Sequence, residues 1–172
     1  MNKLIFILIG LAASTSLYSL HITSAAGSDV ALSSFQGKKI LMVNIATGSP
    51  RAAQLVQLQT LQQRYGDSLV VIAFPSNSFG HEPHGNTEIK NICESVYHTS
   101  FLVAQKGEVT GGGRQPVYGW LTRAGENGSL SGAVKNDFQK YLISADGHII
   151  GVFAGHISPL DPVVTNAIEG IE

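Results

Sequence analysis

Three groups of residues in this chain are of types that do chemistry. The first is Ser49, which follows the apolar run Ile40, Leu41, Met42, Val43 and Ile45 and directly precedes Pro50. A hydroxyl in that place either caps a helix or, with a base beside it, serves as a nucleophile. The second is Cys93, the single cysteine of the sequence. With no second cysteine no internal disulfide can form, so any chemistry there is that of a free thiol. The third is His81-Glu82-Pro83-His84, three acceptor-type side chains in four residues, a composition that can bind metal. The proline and the turn residues around it oppose a fixed tetrahedral set, so no metal is expected. Gly111-Gly112-Gly113 has no strand, helix, lysine and hydroxyl arranged around it as a phosphate cradle needs, and no cofactor is expected.

The elements that position these groups are readable from pattern. The run ending at Ile45 suits a strand covered on both faces. Ser49-Pro50 looks like a helix start, with serine as N-cap and proline at the first helical position. Leu55, Leu58 and Leu61 then recur at helical spacing, and Gly66 ends the segment. Ser68 to Phe74 is a second apolar, β-branched run, so the strand, helix and strand form a βαβ unit. A loop from Pro75 to Asn86 leads to a helix over Thr87–Tyr97, capped by Asn86 or Thr87. Its buried face would carry Ile89, Ile92, Cys93 and Val96. Leu102 to Ala104 is a short strand, Pro116 to Leu121 a helical turn, and Arg123 to Gly132 a glycine- and serine-rich loop. Phe138–Ser144 and His148–Phe153 form a hairpin around an Asp146-Gly147 turn. Asp161 to Ile168 closes the chain as a helix. His148 and His156 should face solvent.

Four segments resemble the glutathione peroxidase family. The family strand V-N-V-A-S-K-C-G corresponds to Val43-Asn44-Ile45-Ala46-Thr47-Gly48-Ser49-Pro50, so the resemblance puts Ser49 in the place of the peroxidatic cysteine or selenocysteine. The family motif F-P-C-N-Q-F-G corresponds to Phe74-Pro75-Ser76-Asn77-Ser78-Phe79-Gly80, which puts Ser78 in the place of the catalytic glutamine. The motif W-N-F-x-K-F-L-V corresponds to Asn136-Asp137-Phe138-Gln139-Lys140-Tyr141-Leu142-Ile143. Asn136 then stands for the tryptophan and Asp137 for the asparagine. Glu88-Ile89-Lys90-Asn91-Ile92-Cys93 matches the helix on which thioredoxin-dependent members carry a resolving cysteine. The resemblance covers about residues 16 to 170. It implies an α/β, thioredoxin-like fold: a central mixed sheet with helices on both faces and an N-terminal β-hairpin. It implies thiol-dependent reduction of hydroperoxides as the family role, with glutathione or a thioredoxin-like protein as reductant.

The residues themselves argue against that role here. A free thiol has a pKa of about 8.5, and a helix N-terminus lowers it. A helix dipole supplies at most ~2 kcal/mol, against ~1.36 kcal/mol per pKa unit, which cannot make a serine alkoxide common near neutral pH. Serine also has no reversible sulfenic state. A carboxylate at Asp137 would repel an anion at position 49. A hydrolase reading of Ser49 finds no Gly-x-Ser-x-Gly elbow in Thr47-Gly48-Ser49-Pro50-Arg51, and Pro50 removes an N–H that an oxyanion hole uses. The expectation is a catalytically degenerate peroxidase-family protein, serving as a binding or interaction module. The alternative is a weak thiol peroxidase or disulfide-exchange protein acting through Cys93.

Composition sets the remaining bounds. The 172 residues are 44% hydrophobic and 13% charged, with a formal net charge of -1, which suits one globular domain and gives no electrostatic reason to expect nucleic acid. Residues 1–15 read as a signal peptide: Lys3, then the apolar run Leu4 to Ala13, then Ala12-Ala13-Ser14 as small residues for cleavage. That run is too short for a stable membrane span. No cysteine follows it as a lipoprotein would need. An exported, periplasmic or secreted domain over residues 16–172 is expected. The short Arg123–Gly132 segment resembles the monomeric members, which implies a monomer.

Overall fold

The computed structural model describes residues 15–171. The expected leader, apart from Thr15, lies outside them. The described chain begins with a 3-10 turn at Leu17–Ser19. Ser16 accepts a hydrogen bond from the Tyr18 N–H at 3.3 Å, and this local cap competes with extended pairing. The hairpin comes next. β1 (His21–Thr23) pairs antiparallel with β2 (Asp29–Ala31), His21 opposite Ala31.

The centre of the molecule is β3 (Lys39–Ile45), which leads through a turn into α1 (Gln54–Tyr65) and then β4 (Leu69–Pro75). β4 lies parallel to β3, with Asn44 opposite Phe74. α2 (Asn86–Asn91) follows and runs directly into one π-helical stretch at Ile92–Val96. β5 (Leu102–Val103) adds parallel to β4. α3 (Pro116–Thr122) and α4 (Ala124–Asn127) precede the hairpin of β6 (Lys140–Ile143) and β7 (Ile149–Phe153). α5 (Pro162–Glu169) ends the fold, capped by the Asp161 side chain on the Val163 N–H at 2.9 Å. The sheet order is β5-β4-β3-β6-β7, with β6 antiparallel to β3 and to β7.

Helices cover both faces. Leu41, Val43 and Ile45 point to a core shared with Leu55, Leu58 and Leu61 of α1, Val164 and Ile168 of α5, and Ile89 of α2. Ile40 and Met42 point the other way, to Val117, Tyr118, Trp120 and Leu121 of α3. Alternate residues of one strand thus serve two cores, which is why β3 reads as an unbroken apolar run. This is the mixed thioredoxin-like sheet that the resemblance implied. Among the described residues no helix is long and apolar enough to cross a membrane.

Three local expectations need correction. α1 starts at Gln54, not at Ser49-Pro50. The intervening chain makes three-residue turns, Ala52 N–H to Ser49 O at 2.9 Å and Gln54 N–H to Arg51 O at 2.9 Å. Ser49 Oγ accepts from the Arg51 N–H at 3.3 Å, so it caps this turn rather than the helix. The helix carrying Cys93 starts after Gly85, without a side-chain cap, because Asn86 Oδ1 is used by the Lys106 N–H at 2.7 Å. Its π-helical end rotates Val96 out of the expected buried face, leaving it 63% exposed. The Arg123–Gly132 segment contains α4, closed by Gly128 at φ 70° and by buried Asn127. The Asn127 amide donates to the Trp120 and Leu130 carbonyls.

Candidate functional site

The end of β3 delivers Thr47, Gly48 and Ser49 to a corner where two other loops meet. From one side comes the segment after β4. Its Glu82 is fully buried, and its carboxylate accepts the Thr47 N–H at 2.6 Å, the Thr47 hydroxyl at 2.8 Å and the His84 N–H at 3.2 Å. The Gly48 N–H donates to the His81 carbonyl at 3.1 Å, and a Cβ at Gly48 would stand 2.7 Å from that oxygen. Only glycine allows this approach. The Lys106 ammonium donates to the Glu82 and His84 carbonyls, at 2.8 and 2.9 Å, and fixes the far side of the loop.

From the other side comes the approach to β6. The Phe138 N–H donates to the Asn44 carbonyl at 2.6 Å, and the Asn44 amide donates to the Asn136 carbonyl at 3.0 Å. Phe138 adopts φ 63°, a left-handed conformation rare for an aromatic residue. This turn presents Asp137 inward. Its carboxylate is 1% exposed, and its Oδ2 lies 2.6 Å from Nδ1 of His81, an imidazole 45% exposed. The acid is therefore sealed in and the base reaches water. Asp137 Oδ1 and Asn136 Oδ1 have no hydrogen-bond partner. Gly155 backs the turn: a Cβ there would fall 2.1 Å from the Asp137 carbonyl and 2.3 Å from Asn136 Oδ1.

The residues marked by resemblance divide accordingly. Ser49 is buried at the exit of β3, and Asp137 and Asn136 lie in the neighbouring turn, joined to it through His81 and Asn44. Ser78 turns elsewhere. Its hydroxyl donates to Glu108 at 2.5 Å and accepts from Ser76 Oγ and the Val109 N–H. Cys93 is fully buried in the α1-side core, and burial, with Glu82 and Glu94 facing it, pushes its thiol up to about 12. Among the described residues no group of three or more histidine, cysteine, aspartate and glutamate side chains is placed to hold a metal ion. His148 and His156 are exposed.

Two features escaped sequence reasoning. The His81–Asp137 pair joins residues 56 positions apart, and no local pattern announces it. Lys140 sits in a strand with no exposure, its ammonium donating to the Phe138 carbonyl at 2.7 Å. Burial and the nearby Arg51 guanidinium push that amine down to about 7. A lysine inside an otherwise apolar strand was the available signal.

A thioredoxin-like sheet whose central strand ends in a buried side chain at a turn before a helix defines the class of protein. A thioredoxin-family thiol:disulfide interchange protein from Chlorobium tepidum shares this fold, with a TM-score of 0.60 at 18% identity over 91% of this chain and 97% of that one. The apo crystal structure of Trgpx superimposes with a TM-score of 0.67 at 28% identity, over 91% and 97% of the two chains. The glutathione peroxidase family model matches residues 17–122. A hydroperoxy fatty acid reductase of Synechocystis is 36% identical over 154 residues, 86% of this chain and 91% of that protein. The chain belongs to the glutathione peroxidase family.

Proposed function

We propose that this chain keeps the family scaffold but has lost reduction of hydroperoxides, and works as an exported binding or interaction module. The observation that carries this reading is the hydroxyl of Ser49 at the strand exit, where the resemblance calls for sulfur or selenium. Three further differences support it. Ser78, Asn136 and Asp137 stand where glutamine, tryptophan and asparagine would donate hydrogen bonds to the reacting anion. Of these, Ser78 is turned to Glu108, and Asp137 is a buried acid. Such a site offers an anion repulsion rather than stabilisation.

Cys93 is not the reactive group in this reading. A thiol held near 12 and shut in a core has almost no thiolate at neutral pH. In this proposal residues 1–15 are a leader and residues 16–172 act as one monomeric domain. The test is reduction of hydrogen peroxide and an organic hydroperoxide by purified protein, with glutathione and with thioredoxin, beside a Ser49→Cys variant. Wild type should stay at background. A wild-type rate clearly above it ends the reading. A gain in Ser49→Cys would locate the loss at that one atom.

A further inference from the structure

The edge of the sheet at β5 is only partly closed. The Ala104 N–H donates to the Ala73 carbonyl of β4 at 2.8 Å, so the preceding residue, Val103, turns its backbone polar groups to the outer side. There the N-terminal hairpin takes the first places. The Ala25 N–H donates to the Val103 carbonyl at 2.8 Å and the Gln105 N–H to the Thr23 carbonyl at 2.7 Å, around an antiparallel bridge of Ser24 with Ala104. The hairpin then folds back, the Gly27 N–H donating to the Ser24 carbonyl at 2.9 Å with Gly27 at φ 89°. It leaves the edge unfinished. The Val103 N–H and, beyond it, the N–H and C=O of Phe101 have no partner among the described residues. Such a row is what an extended chain pairs with.

A cavity of about 340 Å³ opens beside that row. Phe101, Leu102 and Val103 line it on one side, and the hairpin tip adds Ala25 and Ala26. Lys90 and Glu94 of the Cys93 helix line it too, joined to each other at 2.7 Å, so their charges cancel. The two hydroxyls at its margin are already spent: Ser24 Oγ accepts the Ser28 N–H at 3.1 Å, and Ser100 Oγ the Gln59 amide at 2.9 Å.

We propose that this edge and cavity bind an uncharged, extended peptide segment of a partner protein, antiparallel to β5 and continuing the line of β1. The proposal deepens the reading of the chain as an interaction module and rests on it. Main-chain bonds to Val103 and Phe101 give affinity, and the cavity, receiving every second side chain, gives the choice of sequence. Charge complementarity sets the class of that side chain. A charged group would have to pull the Lys90–Glu94 pair apart, whereas a branched apolar one meets the alanines and the apolar residues of the edge.

The experiment is amide exchange, read residue by residue on the full chain, with a capped peptide of alternating threonine and valine as probe. With the peptide the Val103 and Phe101 N–H groups should exchange roughly tenfold or more slowly, as newly paired amides do. The Ala104 N–H, already bonded to β4, should not change. The same peptide N-methylated along its pairing edge should not bind. Ala26→Phe, at an exposed position, should fill the mouth of the cavity and abolish binding without moving the unfolding midpoint. Lys90→Glu should shift the preference toward a peptide carrying lysine for its central valine. No slowing at Val103 with the peptide in millimolar excess overturns the proposal, and so does equal binding of the N-methylated peptide. Protection of Val103 without peptide, together with a dimer in sedimentation, makes a second copy the occupant and also overturns it. Peroxide reduction measured on the same sample reports separately on lost thiol chemistry, so the two readings fail independently.

Discussion

The corner at the end of β3 and the helical segment around Cys93 hold the two groups that thiol chemistry in this family would draw on, and they are opposites. The corner is built of buried polar groups that are tied to one another, Glu82 to Thr47 and Asp137 to His81, and it opens to water through an imidazole. The Cys93 thiol is fully buried in the core that holds Leu55, Leu58 and Ile89. The place with access has no sulfur, and the sulfur has no access. What separates them is not distance along the chain but which neighbours each was given: a serine beside charges, and a cysteine in a core where its thiolate is costly.

The contrast can be broken at either end. Gly155→Ala should have the largest effect. Its methyl would meet a backbone carbonyl at 2.1 Å, which no side-chain motion relieves, and we expect a loss above roughly 3 kcal/mol in urea unfolding. Unchanged stability would mean the Asn136–Asp137 turn is not held as described. Glu82→Ala strips the acceptor from the Thr47 and His84 N–H groups and should cost about 2–4 kcal/mol. It also removes one of the two charges facing Cys93, so a thiol titration of this variant should show a lower pKa than wild type.

Lys140→Met tests the corner by pH. The folded amine titrates near 7 and the unfolded one near 10.5, so between those values the unfolded chain binds more protons. Wild-type stability from this group therefore rises as pH climbs through that window. The methionine variant should be more stable by about 1–3 kcal/mol at pH 7, with the gap closing toward pH 10. A gap that ignores pH would mean Lys140 is not the buried amine described. Cys93→Ala should be the smallest change, about 1 kcal/mol. In the native wild type a thiol reagent should react roughly 10³-fold more slowly than in denaturant, because a pKa near 12 leaves that much less thiolate. Fast native labelling would erase the distinction between the two regions.

Much of the fold was legible because β3, β4 and α1 obey simple periods, and because Asp146-Gly147 and Asp161-Pro162 are strong local signals. The misread pieces were those where neighbours overrule pattern. The Ser49-Pro50 cap signal is genuine, but the close packing of Gly48 on the His81 carbonyl goes with a tight turn first, and the helix waits until Gln54. The Cys93 helix kept its period only as far as Asn91, since a π-helical stretch leaves no periodic mark. At the site, motif matching pointed to Ser49, Asn136 and Asp137, while His81 was visible only as a member of a histidine-rich loop. Its role depends on a carboxylate from a different part of the chain, information that resides in tertiary packing.

Trp120 is the single tryptophan, and its indole N–H donates to the carbonyl of Thr15 at 2.6 Å. Its ring is 2% exposed among the α3-side core residues. The protein therefore carries one tryptophan reporter, tied by its indole N–H to the backbone of Thr15. Removing Thr15 would take away that acceptor, wet the indole edge and move its emission to the red, so that fluorescence alone would report whether this contact is made.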